Sequence, residues 1–176
     1  NELKISKELA SYDDDSRAVV KYLKEHPLCT GKLGVVGICI GGHLSFRAAT
    51  RNPELKAGVC FYATDMHKQG LGKGTADDTL DSCGDIKAEM LMIWGRQDPH
   101  VPLEGRRKIH AAMEEAGLHF TWHEFNGQHA FLRDEGHRYD PELALKAYGL
   151  MLELFKRKLG EGDLPAAAAG TAESKH

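Results

Sequence analysis

One ten-residue run, from Gly34 to His43, constrains the fold of this chain more than any other. It reads GVVGICIGGH, so an apolar segment ends in the pattern Gly-x-Cys-x-Gly-Gly and a helical pattern begins directly afterwards. This order predicts a strand, a tight turn and a helix. A nucleophile elbow is built in this way, because its nucleophile sits on a sharp turn between small residues that let the strand and the helix approach closely.

Cys39 occupies the nucleophile position of this predicted elbow, and we expect Gly37 and Gly41 to supply the room around it. The positive N-terminal end of the following helix favours a thiolate and an oxyanion near the backbone N–H of Ile40. The alternative is that Cys39 is a small apolar residue buried at a strand end. The pattern is short and therefore weakly specific, and residues elsewhere in the chain are needed to choose between the two interpretations.

The composition is that of an ordinary globular domain. The 176 residues are enough for one domain with a core, 41% of them are hydrophobic and 28% are charged. The net charge of -3 gives no indication of nucleic-acid binding, and no apolar run is long enough to cross a bilayer. We therefore expect no nucleic-acid partner, no membrane partner and a cytoplasmic location, with the four cysteines present as reduced thiols.

Hydrophobic periodicity predicts helices that alternate with strands along most of the chain. After a first helix over about 11–25, strands are predicted at the elbow, at 57–62, at 89–95 and at 119–125. Further helices are predicted after the elbow, over about 103–116 and over about 141–159, and 63–85 is predicted to be a long irregular segment. Such alternation is typical of a mostly parallel sheet with helices on both faces. We expect one domain over 1–160 and a disordered tail over 161–176.

Three residues with catalytic side chains each follow a different predicted strand. They are Cys39, Asp98 and His129, and because parallel strands end at the same edge of a sheet, we expect them to lie close together. A histidine can take the proton of a thiol, and a carboxylate can fix the orientation of that histidine. Nucleophile, acid and histidine also follow one another in the chain order of α/β-hydrolases.

The motifs around these residues, GICIGG at 37–42, GRQDPHVP at 95–102 and NGQHAF at 126–131, together resemble the dienelactone hydrolase (carboxymethylenebutenolidase) family. The resemblance covers roughly residues 13–159. It implies an α/β-hydrolase fold with Cys39 as nucleophile, His129 as general base and then general acid, and Asp98 as the residue that orients His129. It also implies that Arg133 could hold a carboxylate of the substrate. A small ester or lactone is then the expected partner, and one bearing a carboxylate would suit Arg133. No cofactor and no metal are expected, and the oligomeric state stays open.

The resemblance further implies strands ahead of the first helix. In the family these carry a second oxyanion-binding amide, a glutamate that contacts the cysteine and another arginine for the substrate. None of these can be placed on this sequence, and four predicted strands alone would leave a sheet edge unprotected. We therefore expect the native protein to have a preceding segment that carries the N-terminal strands of the fold.

Each candidate residue also has an ordinary structural interpretation. Asp98 could cap a turn, His129 could be a loop histidine bonded to backbone, and Arg133 could be a surface ion-pair partner. The acidic run 13–15 is read as helix-capping or solvated charge rather than a metal site. A zinc site could be suggested by four histidines, but their spacing lacks the close second pair that such a site needs: His119, His123, His129 and His137.

Two other functions remain open from the sequence. The chain could be a non-catalytic binding module that keeps the α/β-hydrolase scaffold, in which case it would bind a ligand without turning it over. It could also be an amidase or peptidase that uses the same cysteine elbow, and matched ester and amide substrates would separate that possibility from an esterase.

Overall fold

The computed structural model describes residues 6–74 and 76–160. Its main elements follow the predicted alternation: α1 (Leu9–Glu25), β1 (Gly34–Ile38), α2 (Ile40–Arg51), β2 (Ala57–Phe61), β3 (Glu89–Gly95), α3 (Leu103–Glu115), β4 (Phe120–Phe125) and α4 (Pro141–Leu159). Two short 3-10 helices, Met66–Lys68 and Cys83–Asp85, lie within the segment predicted to be irregular. The first helix starts two residues before the predicted start at Ser11. The expected disordered tail over 161–176 lies outside the described residues.

The four strands form one parallel sheet in the order β1-β2-β3-β4. Parallel neighbours need a crossover between them, and α2 and α3 provide two of these crossovers. Every strand therefore ends at the same edge of the sheet. The predicted parallel sheet is confirmed, and its carboxyl edge carries the elbow after β1, the segment after β2 and the turns after β3 and β4.

Helices cover both faces of the sheet, as predicted. The central strands are apolar on both sides because successive side chains point to opposite faces. On one face, Met90, Met92 and Trp94 of β3 share a core with residues of α1, α2 and α3. On the other face, Leu91 and Ile93 pack with residues of α4.

The outer edge of β1 has no strand beside it within the part of the chain that the structure describes. Two apolar side chains of this strand are correspondingly open to solvent, with Val36 46% and Ile38 43% exposed. The inner edge of β1 is paired with β2 along its whole length, from Gly34 opposite Ala57 to Ile38 opposite Phe61. Thus β1 is held in place from one side, by β2 and by the helix that follows it.

Asp13 is a buried ion-pair partner, which corrects its interpretation as a capping or solvated charge. It lies in the second turn of α1 and is 8% exposed. Its two carboxylate oxygens accept hydrogen bonds from Arg47 of α2, one from Nε at 2.6 Å and one from Nη2 at 2.8 Å. The Arg47 Nη1 atom also donates to Asp78 at 2.8 Å. This network joins α1, α2 and the segment after β2.

Close packing of β1 against α2 depends on glycine at two positions. A Cβ atom on Gly37 would lie 1.9 Å from the carbonyl oxygen of Gly41 and 2.4 Å from the hydroxyl of Ser45. A Cβ atom on Gly42 would lie 3.0 Å from the carbonyl oxygen of Phe61. A Cβ atom on Gly41 would meet nothing within 4 Å, so the expectation that Gly41 supplies room is wrong and Gly42 has that role.

The Gly37→Ala variant should therefore be strongly destabilised. Its added methyl group meets a backbone carbonyl that belongs to a helix, and we expect a loss of at least about 3 kcal/mol in the free energy of unfolding. The matched control is Gly41→Ala, which we expect to stay within about 1 kcal/mol of the wild type, since its Cβ enters open space. Urea unfolding followed by circular dichroism measures both, and equal midpoints for the two variants would contradict the packing account.

Candidate active site

Cys39 lies between β1 and α2 in a strained backbone conformation, with φ 61° and ψ -122°. Conformations of this kind cost on the order of 1–3 kcal/mol in a residue that has a side chain. Hydrogen bonds hold the strained peptide from both sides. The N–H of Cys39 donates to Phe61 O at 3.0 Å, and the carbonyl of Cys39 accepts from the N–H groups of Gly42 at 3.0 Å and Thr64 at 3.2 Å. The predicted strand, turn and helix are therefore present at this position.

The structure brings Cys39, Asp98 and His129 together. His129 lies between the other two, with Nε2 3.3 Å from Cys39 Sγ and Nδ1 2.7 Å from Asp98 Oδ2. An ionised carboxylate only accepts hydrogen bonds, so Nδ1 donates to Asp98, and Nε2 faces the Cys39 sulfur. The other oxygen of Asp98 accepts from the backbone N–H of His100 at 2.8 Å, which fixes the carboxylate in turn.

Burial and hydrogen bonding determine the charges in this group. Asp98 is 3% exposed and His129 is 6% exposed. The hydrogen bond to His129 lowers the pKa of the Cys39 thiol against the opposing effect of burial, and the Ile40 N–H and the Thr64 hydroxyl lower it further. Burial alone would lower the pKa of His129, but the hydrogen bonds to Asp98 and Cys39 raise it to about 9. The pair therefore favours a thiolate beside an imidazolium.

The dienelactone hydrolase family model matches residues 2–159. The chain belongs to this family. A Saccharomyces cerevisiae protein provisionally named carboxymethylenebutenolidase is 38% identical over 166 residues, which are 90% of this chain and 60% of that protein. The carboxymethylenebutenolidase of Pseudomonas sp. strain P51 is 28% identical over 143 residues, which are 81% of this chain and 55% of that enzyme. The chain thus spans a little more than half the length of these two relatives.

Solved structures show the same fold. A Klebsiella pneumoniae protein provisionally titled dienelactone hydrolase superposes with a TM-score of 0.72 at 24% identity, covering 82% of this chain and 60% of that one. The acylaminoacyl peptidase of Pyrococcus horikoshii superposes with a TM-score of 0.68 at 20% identity, covering 86% of this chain and 28% of that one. At such low identity the likeness establishes the α/β-hydrolase fold alone.

Ile40 and Arg133 are the other two predicted site residues of this member of the dienelactone hydrolase family. Ile40 is the first residue of α2, and its backbone N–H lowers the pKa of the Cys39 thiol. Arg133 is exposed in the turn after His129, where its backbone N–H donates to Ala130 O at 3.0 Å. Among the described residues, no hydrogen bond or ion pair joins the Arg133 guanidinium to the sulfur or the imidazole. Its predicted contact with a substrate carboxylate stays a prediction.

Sequence reasoning missed two rings that pack on His129. The ring of Tyr62 lies edge-on at 4.8 Å and is buried, and burial raises the pKa of its hydroxyl. The ring of His100, which is exposed to solvent, also lies edge-on to His129, with the two ring centroids 4.6 Å apart. Tyr62 directly follows β2, so the rule that ligands bind at strand ends could have found it. Tyr62 and Ala130 both have positive φ angles, 37° and 64°, so strained backbone flanks the histidine as well as the cysteine.

Over residues 6–74 and 76–160, no three His, Cys, Asp or Glu side chains come together as a group that could hold a metal ion. The four histidines considered as zinc ligands therefore do not form such a group in that part of the chain. Over the same residues, no helix combines the length and the apolar character needed to cross a bilayer.

The thiolate of Cys39 should depend on His129. We expect the absorbance difference at 240 nm between the wild type and Cys39→Ser to develop at a lower pH than that of an ordinary cysteine, since the pKa of the thiol is lowered. In His129→Asn the same difference should develop only at a more alkaline pH. In Asp98→Asn the difference should develop at a pH between those of the wild type and His129→Asn, because this variant loses the charge behind the imidazole. Identical profiles for the wild type and His129→Asn would contradict the thiolate–imidazolium pair.

Proposed function

We propose that this chain hydrolyses ester or lactone bonds, with Cys39 as nucleophile, His129 as general base and then general acid, and Asp98 as the residue that orients His129. The observation that carries the proposal is the position of the His129 ring, which bridges Cys39 Sγ at 3.3 Å and Asp98 Oδ2 at 2.7 Å. Membership of the dienelactone hydrolase family supports the same reaction class.

The first half of the proposed reaction forms a thioester. Cys39 reacts as the thiolate, with its proton held on His129 Nε2, and attacks the carbonyl carbon of the substrate. The carbonyl oxygen becomes an oxyanion at the N-terminal end of α2, where the Ile40 N–H can donate to it. The tetrahedral intermediate then expels the alcohol oxygen, which takes the proton from the His129 imidazolium. In a lactone this leaving oxygen remains attached to the acyl group.

The second half of the reaction releases the product. His129 is neutral again after the first half, so its Nε2 atom can take a proton from water as that water attacks the thioester carbonyl. Cys39 leaves as a thiolate and recovers its pairing with the protonated imidazole. Every proton in this sequence is carried by water, substrate, Cys39 or His129, and the proposal therefore invokes no cofactor.

The proposed substrate is a small ester or lactone, in line with the carboxymethylenebutenolidase name of the Pseudomonas relative. A carboxylate on the substrate would be met by Arg133, which is exposed four residues after His129 and forms no ion pair within the described part of the chain. This contact requires the arginine side chain to turn toward the sulfur, and Arg133→Met tests it. We expect a higher KM for a carboxylate-bearing lactone and an unchanged KM for p-nitrophenyl acetate.

Replacement of Cys39 tests the proposal directly. Cys39→Ala removes the nucleophile and fills less space at a half-buried position, so we expect the fold to persist while hydrolysis of p-nitrophenyl acetate and of a dienelactone falls at least about 10³-fold. Circular dichroism checks the fold. Turnover that is unchanged in Cys39→Ala would remove this cysteine from the mechanism.

Matched substrates distinguish the remaining functions. A p-nitrophenyl ester and the corresponding p-nitroanilide share the acyl group and differ in the leaving atom. We expect the ester to be cleaved and the anilide to be cleaved at least about 100-fold more slowly, because an amine is a poorer leaving group and needs stronger protonation. Faster cleavage of the anilide would identify an amidase, and saturable binding of a lactone without turnover would identify a binding module.

A further inference from the structure

Thr64 contacts the proposed nucleophile through both its backbone and its side chain. It lies three residues beyond the end of β2 and is 7% exposed. Its backbone N–H donates to the carbonyl of Cys39 at 3.2 Å, and its hydroxyl oxygen lies 4.0 Å from Cys39 Sγ. This residue thus supports the strained peptide of the elbow and also faces the sulfur.

His43 holds the backbone of Thr64. The imidazole is completely buried in the first turns of α2, and its Nδ1 atom lies 2.9 Å from the carbonyl oxygen of Thr64. A carbonyl oxygen only accepts, so Nδ1 is the donor. The other ring nitrogen, Nε2, lies 3.3 Å from Asp77 Oδ2. The ring therefore connects Thr64 to a carboxylate in the segment that follows β2.

Asp77 is buried and is held by the segment around it. One of its oxygens accepts from the Leu71 N–H at 2.9 Å, and the other accepts from the N–H and hydroxyl of Thr79 at 3.1 Å and 2.6 Å. Burial alone would raise the pKa of Asp77, but the contact with His43 and the bonds from Thr79 and Leu71 lower it to about 2. The carboxylate is therefore ionised throughout the neutral range, and it lies against the ring of His43.

We propose that Thr64 is a positioning residue for Cys39, and that His43 and Asp77 hold Thr64 in place. The inference rests on the proposed role of Cys39 as nucleophile. Thr64 acts at two points: its N–H helps to hold the Cys39 carbonyl of the strained elbow, and its hydroxyl donates to the thiolate. The chain of contacts runs from Asp77 through His43 and Thr64 to the sulfur, so the segment after β2 is part of the active site.

Packing alone does not explain these polar groups. A buried imidazole and a buried carboxylate each lose hydration, and an apolar side chain could fill the same volume without that cost. Valine has nearly the shape of threonine, so the hydroxyl beside the sulfur adds a donor rather than volume. Among the described residues, the imidazole of His129 lies 3.3 Å from Cys39 Sγ, and the backbone N–H of Ile40 also lowers the pKa of the thiol. Both remain when the Thr64 hydroxyl is removed.

The first experiment compares Thr64→Val with Thr64→Ser by the rate at which iodoacetamide alkylates Cys39 at pH 7. Cys60 and Cys83 are buried, and a Cys29→Ser background removes the other partly exposed thiol. The same background with Cys39→Ser gives the blank. We expect Thr64→Val to slow alkylation about 2- to 10-fold, the effect of one lost hydrogen bond, and Thr64→Ser to stay within about 2-fold of the parent.

The alkylation profile against pH should move toward alkaline pH in Thr64→Val and not in Thr64→Ser, while both variants keep the circular dichroism spectrum of the parent. Equal rates and profiles for the parent and the valine variant would overturn the role of the hydroxyl. Alkylation requires no ester substrate, so this result is obtained even if the chain turns over no ester. Failure of the inference and failure of the proposed function are thus separate observations.

The second experiment uses two shortened forms of the His43 side chain. His43→Asn keeps a donor near the Nδ1 position and can still bond to the Thr64 carbonyl, whereas His43→Gln carries its amide nitrogen near Nε2, toward Asp77. Both lose ring atoms from the same buried site, so a purely structural role predicts similar alkylation rates. We expect the alkylation rate of His43→Asn to stay within about 3-fold of the parent rate. The rate of His43→Gln should be reduced as much as that of Thr64→Val. Equal rates for the two variants, or the opposite order, would overturn the proposed link through His43.

Discussion

The approach of α2 to the end of β1 at Gly37 is the contact on which the site depends. With no Cβ at this position, the Gly41 carbonyl can lie where a side-chain carbon would be, only 1.9 Å from the Cβ that any other residue would carry. The chain must then reverse within the single residue between strand and helix, and this is why Cys39 has φ 61°. The side chain of a residue on so sharp a turn points away from the body of the fold and toward the groups at the carboxyl edge of the sheet.

The same edge supplies the groups that set the charge of the sulfur. Burial disfavours both a thiolate and an imidazolium. Together they have opposite charges 3.3 Å apart, with the Asp98 carboxylate behind the imidazole. The attraction between the charges and the hydrogen bonds outweighs the loss of hydration, and as a result the pKa of His129 rises while that of Cys39 falls. The pairing of Cys39 with His129 therefore favours the charged form of both groups.

Much of this arrangement could be predicted from the sequence because it follows from local patterns. The elements follow from apolar periodicity, and the meeting of Cys39, Asp98 and His129 follows from the rule that parallel strands end at one edge. The burial of Asp13 against Arg47 could not be predicted, because it depends on how two helices pack. It also could not be predicted that Gly42, and not Gly41, supplies room for the strand. The path of β2 decides which of the two glycines lies against backbone.

The segment after β2 was the least predictable part. It packs on the core through apolar residues such as Met66 and Leu80, and polar contacts join it to α2. Within it, Asp77 Oδ2 lies 3.3 Å from the Nε2 atom of His43, and Asp78 forms ion pairs with Arg47 and Arg51 of α2. Buried and half-buried ion pairs of this kind contribute little net stability, since the loss of hydration offsets the attraction. Their directional partners instead select one path for the segment, together with the burial of its apolar residues. All these partners lie on α2, the helix whose first residue follows Cys39, so the segment and the nucleophile share one rigid support. An error in the path of the segment would therefore be transmitted to Thr64 and from there to the sulfur.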